Sequence, residues 1–182
     1  MWRISTITRL TVIGAALTLT ACAATRTHES AGEYTDEAGT TAQVNAALVK
    51  DEATKAHQID VETFRGVVQL SGFVDSATGK LKATEVAQSV PGVKQVHNNL
   101  LVRTQERSAG VVSDDSAITA KVKAALTTNK NTQAHQITVA TWEGIVQLSG
   151  FVDDANQKTT AESVARAVAG VHDVRNELEV KK

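Results

Sequence analysis

The sequence predicts an α+β fold built twice in tandem. Three observations carry that expectation. Aligning Gly66 with Gly144, a shift of 78, runs an ungapped match from Asp36 against Asp114 to the end of the chain. Within each half, apolar residues recur first at helical spacing and then at period two. Glycines stand where those patterns change, at Gly66 and Gly92 and again at Gly144 and Gly170. The heptapeptide "QLSGFVD" occurs at 69–75 and at 147–153, and about half of the aligned positions are identical, which marks an internal duplication.

Each half reads as the same series of elements. Val44, Ala47 and Leu48, and in the second half Ile118, Val122, Ala125 and Leu126, make the apolar stripe of a first helix. Ile59, Val61 and Thr63 then alternate, a turn follows at Phe64–Gly66, and Val68, Leu70, Gly72 and Val74 alternate again. That is a β-hairpin. Asp75 or Ser76 offers an N-cap to a second helix whose apolar face is Ala83, Val86, Ala87 and Val90. Gly92 and Gly170 are placed to stop that helix. Val93, Val96, Leu100 and Val102 form a third strand. The expected unit is α-β-β-α-β, with two helices packed on one face of a three-stranded sheet. A unit of about 70 residues buries a marginal core, and pairing of the two units would enlarge it.

The first residues read differently. "MWRISTITRLTVIGAALTLTAC" has Arg3 and Arg9 before an apolar run from Leu10 to Leu19, the pattern of a secretory signal peptide over 1–21. Leu19-Thr20-Ala21-Cys22 resembles the lipobox of bacterial lipoproteins. The small residues admit the peptidase, and the single cysteine is the thiol that is acylated. By resemblance to sorting in enteric bacteria, Ala23 after that cysteine favours the outer membrane. Residues 22–35 are expected to be a lipidated flexible tether, 36–103 the first domain, 104–113 a linker and 114–182 the second domain. Removing residues 1–21 removes Arg3 and Arg9 and no acid, which leaves 17 basic and 20 acidic side chains and a formal charge of −3. No basic excess or aromatic-interleaved stripe points to nucleic acid. No phosphate loop, no Ser-His-Asp or Cys-His arrangement and no metal-ligand spacing is present, so neither enzyme activity, nor a cofactor, nor a metal, nor a small-molecule substrate is expected.

The order α-β-β-α-β, the hairpin "GVVQLSG" (Gly66–Gly72) and the tail G-V-x-x-V-x-N-x-L-x-V (Gly92–Val102) resemble the BON domain. The same marks recur at Gly144–Gly150 and Gly170–Val180. Two such units behind a lipobox resemble the dual-BON envelope lipoproteins. That resemblance implies a periplasm-facing, outer-membrane-anchored protein that binds phospholipid and supports the envelope under osmotic stress, with no catalytic residues to transfer. It also implies an alternative, a periplasmic protein-binding module or stress chaperone. A third reading is a structural spacer.

Candidate residues follow from comparing the halves. The first helix of the second half carries Lys121, Lys123 and Lys130, where the first half has Gln43, Asn45 and Glu52. A lysine-bearing helix face can hold anionic headgroups. Trp142, expected at the tip of a hairpin, is the aromatic candidate for membrane contact. Val67, Phe73, Ile145 and Phe151 alternate with the core positions and are expected on the open sheet face, available to a partner or to the other domain. Gly72 and Gly150 are expected to mark close packing of a helix, and Asn98 and Asn176 to pin a loop. His57 and His135 are expected to mark the entry to the first strand of each unit.

Overall fold

A computed structural model describes residues 31–54, 59–103 and 109–182. The signal peptide, Cys22, the first part of the tether and His57 lie outside the described residues. In the first unit, helix α1 (Ala31–Lys50) leads to strands β1 (Ile59–Phe64) and β2 (Val67–Val74), helix α2 (Ala77–Gln88) and strands β3 (Gln95–Asn98) and β4 (Leu101–Val102). The second unit repeats this with α3 (Ala109–Thr128), a 3-10 turn (Ala134–Gln136), β5 (Thr138–Trp142), β6 (Ile145–Ser149), β7 (Phe151–Val152), α4 (Ala155–Arg166), β8 (Asp173–Asn176) and β9 (Glu179–Val180). Mixed α+β architecture is therefore observed in both halves. The expected boundaries shift in two places. α1 already starts at Ala31, inside the segment expected as tether, and α3 starts at Ala109, inside the segment expected as linker.

The hairpins obey elementary turn chemistry. Arg65 and Gly66 have φ of 52° and 82°, and Glu143 and Gly144 have 51° and 75°. Positive φ at both central residues is the two-residue turn whose twist suits antiparallel strands. The turn is thus Arg65–Gly66, one residue tighter than the sequence suggests. An acid from the first helix locks it. Asp115 is buried, and its Oδ2 and Oδ1 accept from the backbone N–H of Glu143 and Gly144, each at 2.9 Å. Glu37 accepts from Arg65 N–H in the equivalent place.

β2 is the central strand, antiparallel to β1 and parallel to β3 and β4. Parallel pairing needs a crossover, and α2 supplies it. Ser76 caps α2 by accepting from Gly79 N–H at 3.0 Å, and Asp154 caps α4 by accepting from Gln157 N–H at 2.8 Å. The helices stop at Ser89 and Ala167, and Gly92 and Gly170 turn the chain a few residues later. The third strand is broken near Asn98. Its amide donates to Lys80 O and Thr84 Oγ1, both at 2.6 Å, and its Oδ1 accepts from Leu100 N–H. Asn176 does the same toward Lys158 O and Glu162. These asparagines fasten the third strand to the second helix rather than pinning a loop. Each unit has its own core, centred on Val44, Leu48, Leu70 and Leu100 in the first and on Val122, Leu126, Leu148 and Leu178 in the second. Each of these leucines contributes about 1.5–3 kcal/mol through burial.

Candidate functional site

The sheet faces not covered by helices meet each other. Strand alternation decides which residues arrive there. Val68, Leu70 and Val74 point to the helices, so Val67, Gln69, Ser71 and Phe73 point to the other unit. At the centre, Ser71 Oγ and Ser149 Oγ share a hydrogen bond of 2.8 Å. Gln69 Oε1 accepts from Gly150 N–H at 2.6 Å, and Gln147 Oε1 accepts from Gly72 N–H at 2.7 Å. The other ends of the two amides donate to Glu177 O and Asn99 O. Each contact has a mate 78 residues on, so the seam has a quasi-two-fold axis passing between the serines. Buried polar groups are costly unless paired, and here both amide ends are paired.

Aromatic pairs flank that centre with the same symmetry. Phe64 lies 5.4 Å from Phe151, and Phe73 lies 5.8 Å from Trp142, between ring centroids. Arg103 sits 4.7 Å over the Trp142 ring and is paired with Asp75, and Lys181 sits 5.5 Å over Phe64 and is paired with Asp153. Trp142 is only 7% exposed. Its expected place at an exposed hairpin tip is corrected: its strand continues one residue further than the turn suggests, and its side chain turns into the seam. Val67 and Ile145 are half-buried on the same faces, Phe73 is buried and Phe151 half-buried. Gly150 has φ of 120°, and a Cβ there would lie 2.2 Å from Gln136 O. The close neighbour is backbone at the entry to β5, not the helix expected from sequence.

Charge enters the seam unequally. Glu62 Oε1 accepts from Thr138 Oγ1 at 2.9 Å, and His97 Nδ1 donates to Glu179 Oε1 at 2.5 Å. Burial raises the pKa of Glu62, offset in part by the Thr138 hydrogen bond, and neighbouring Asp60 raises it further. Burial also raises that of Asp60, offset in part by Lys123 across the seam.

Lys121, Lys123 and Lys130 are all exposed but do not share one face. Lys121 and Lys123 are about 200° apart around the helix. Lys121 borders a cleft of about 530 Å³ with Asp114, Asp115, Glu143 and His172. Lys123 borders another, of about 550 Å³, with His135 and Ile137. Lys130 lies beyond the end of α3. Among the described residues no His, Cys, Asp and Glu cluster is arranged to hold a metal, and no helix is long and apolar enough to cross a membrane.

Compared with known families, residues 36–104 and 114–182 each match the BON domain. The chain belongs to the BON-domain family. Osmotically-inducible protein Y of Escherichia coli K12 is 41% identical over 151 residues, 82% of this chain and 75% of the relative. A 21 kDa hemolysin of Actinobacillus pleuropneumoniae is 33% identical over 80% of this chain and 74% of its own length. Outer membrane lipoprotein DolP of Haemophilus influenzae is 32% identical over 72% of this chain and 68% of its own. A solved structure of CdsD from Chlamydia trachomatis covers 76% of this chain and 90% of that one at 13% identity and a TM-score of 0.33, a likeness too low to inform the arrangement.

The two BON domains thus hide residues that sequence reasoning did not single out. Gln69, Gln147, Ser71 and Ser149 are polar residues within the repeated hairpin, with no charge or motif to mark them. A signal was present in the repeated heptapeptide. A face that packs against its own duplicate must stay like that duplicate, and these four positions are two identical pairs.

Proposed function

We propose that this chain is an envelope protein anchored through Cys22, facing the periplasm from the outer membrane, whose second BON domain rests on anionic phospholipid. The names of its relatives support the setting: one is osmotically inducible and one is an outer-membrane lipoprotein. The observation that carries the lipid reading is the asymmetry of the first helices. α3 and the turn after it expose Lys121, Lys123 and Lys130 where α1 and the turn after it have Gln43, Asn45 and Glu52. Lys123, toward the C-terminal end of α3, and Lys130, in the turn just beyond it, are the principal contacts. Lys121 looks into an acidic cleft and adds less. Trp142 is not part of this surface in the closed form.

The anchor concentrates the protein at the bilayer, so contacts of about 1 kcal/mol per lysine suffice. The alternative, a protein-binding module or chaperone, would use Val67, Phe73, Ile145 and Phe151, and the seam closes over that face. Vesicle flotation of residues 23–182 separates the readings. Lys123→Glu with Lys130→Glu should lower binding to vesicles rich in anionic phospholipid by about tenfold or more, with little effect on neutral vesicles. Unchanged binding to anionic vesicles overturns the assignment of these lysines.

A further inference from the structure

Two nearly identical faces raise the question of which faces can pair. The central groups do not discriminate, because Gln, Ser and Gly occupy the same places in both domains. The flanking groups do. Glu62 stands against Thr138. The repeat maps Thr138 onto Asp60 and Glu62 onto Ala140, so two first-domain faces would set Glu62 against Asp60 twice over. Four carboxylates would be enclosed together, and the cation that now acts on Asp60, Lys123, would be replaced by its counterpart Asn45. The contact of His97 with Glu179 would also go, because the counterpart of Glu179 is Leu101.

Two second-domain faces behave otherwise. Ala140 would meet Thr138 with no charge. Arg175 is the counterpart of His97, so Arg175 of one molecule would meet Glu179 of the other, twice, with opposite sign. Like charges set across a contact exclude a partner as effectively as good contacts select one.

We propose that the sheet face of the second domain is a docking surface for the same face of a second copy of this chain, reached when the two domains of one molecule part, and that Asp60 and Glu62 bar the first-domain face from the equivalent contact. The tether between the domains keeps the first domain at high effective concentration, which favours the closed monomer in dilute solution. Crowding of copies favours the paired form.

The test uses the full chain with Cys22→Ser, so that one introduced cysteine is the only thiol. Ser71→Cys and Ser149→Cys place that thiol on the axis of each face. Under mild oxidation at equal concentration, disulfide-linked dimer should form several-fold faster from Ser149→Cys than from Ser71→Cys. Adding Asp60→Thr and Glu62→Ala should raise the Ser71→Cys rate toward that of Ser149→Cys. Adding Arg175→Glu should slow Ser149→Cys. Equal rates from the two single cysteines, or a Ser149→Cys dimer indifferent to Arg175→Glu, would overturn the proposal. So would a mixture in which position 71 of one molecule links to 149 of the other faster than 149 links to 149, since that outcome is exchange of domains. Sedimentation of the variant without any cysteine, monomer at low and dimer at high concentration, is the independent readout, and a monomer at every concentration counts against it.

Discussion

Ser71 and Ser149, 78 residues apart in sequence, place their hydroxyl oxygens 2.8 Å from each other on the quasi-two-fold axis between the domains. Around that point the seam is polar at its centre and aromatic at its flanks, with Gln69 and Gln147 as reciprocal clamps on the Gly150 and Gly72 amides.

Gln69→Ala leaves the Gly150 N–H buried without its acceptor. A buried donor deprived of its partner costs about 1–3 kcal/mol. Urea unfolding should show that loss, and Gln147→Ala should show a similar one. The double variant should depart from additivity, because the two side chains belong to one network.

Gly150→Ala should be among the most damaging single substitutions, at several kcal/mol or failure to fold. Its Cβ would collide with Gln136 O at a φ of 120°. Gly39, inside α1, is the opposite case: a methyl group added there would meet nothing within 4 Å. Gly39→Ala should therefore stabilise by about 1 kcal/mol, as replacement of a mid-helix glycine does. Thermal denaturation of the pair checks both signs.

Trp142 is the one tryptophan left once residues 1–21 are removed. Packed between Phe73 and Arg103, it should emit at short wavelength and resist acrylamide quenching. Anionic vesicles should leave its emission unchanged while the chain binds through α3. A shift on vesicle binding would show that the seam opens at the membrane.

Glu62 carries a pH dependence of definite sign. Its folded pKa is raised, chiefly by burial. Its contribution to stability is therefore fully present below the unfolded pKa and lost as pH rises through the raised folded one. Glu62→Gln keeps an acceptor for Thr138 without the charge. It should be more stable than the parent at about pH 8, with the difference closing only below the ordinary glutamate pKa, at about pH 4. Denaturant midpoints at the two values read this directly.

Much of the fold was legible because periodicity reports burial. Val44 and Leu48 at helical spacing, and Val68, Leu70 and Val74 at period two, face their cores as expected. The seam was half legible. Phe73 and Phe151 stood out as apolar residues on an open face, but Gln69 and Ser71 did not, because composition cannot show that a polar side chain meets its own duplicate. Trp142 was misplaced because turn residues locate a hairpin tip without telling which way the last strand residue points. The three lysines differ from their counterparts in the other half, which sequence shows. That Lys121 and Lys123 diverge around α3 follows from helix geometry once the helix is known to be continuous there.

The central claim is that the two BON domains close on each other across the Ser71–Ser149 axis. In the Cys22→Ser background, Ser71→Cys with Ser149→Cys brings two thiols to that axis at a separation suited to a disulfide. Mild oxidation in dilute solution should give a cross-link at monomer mass in nearly all molecules, seen by mass spectrometry of the 71–149 linked peptides. Thiols that stay free, or that link only between molecules, would contradict the closed seam.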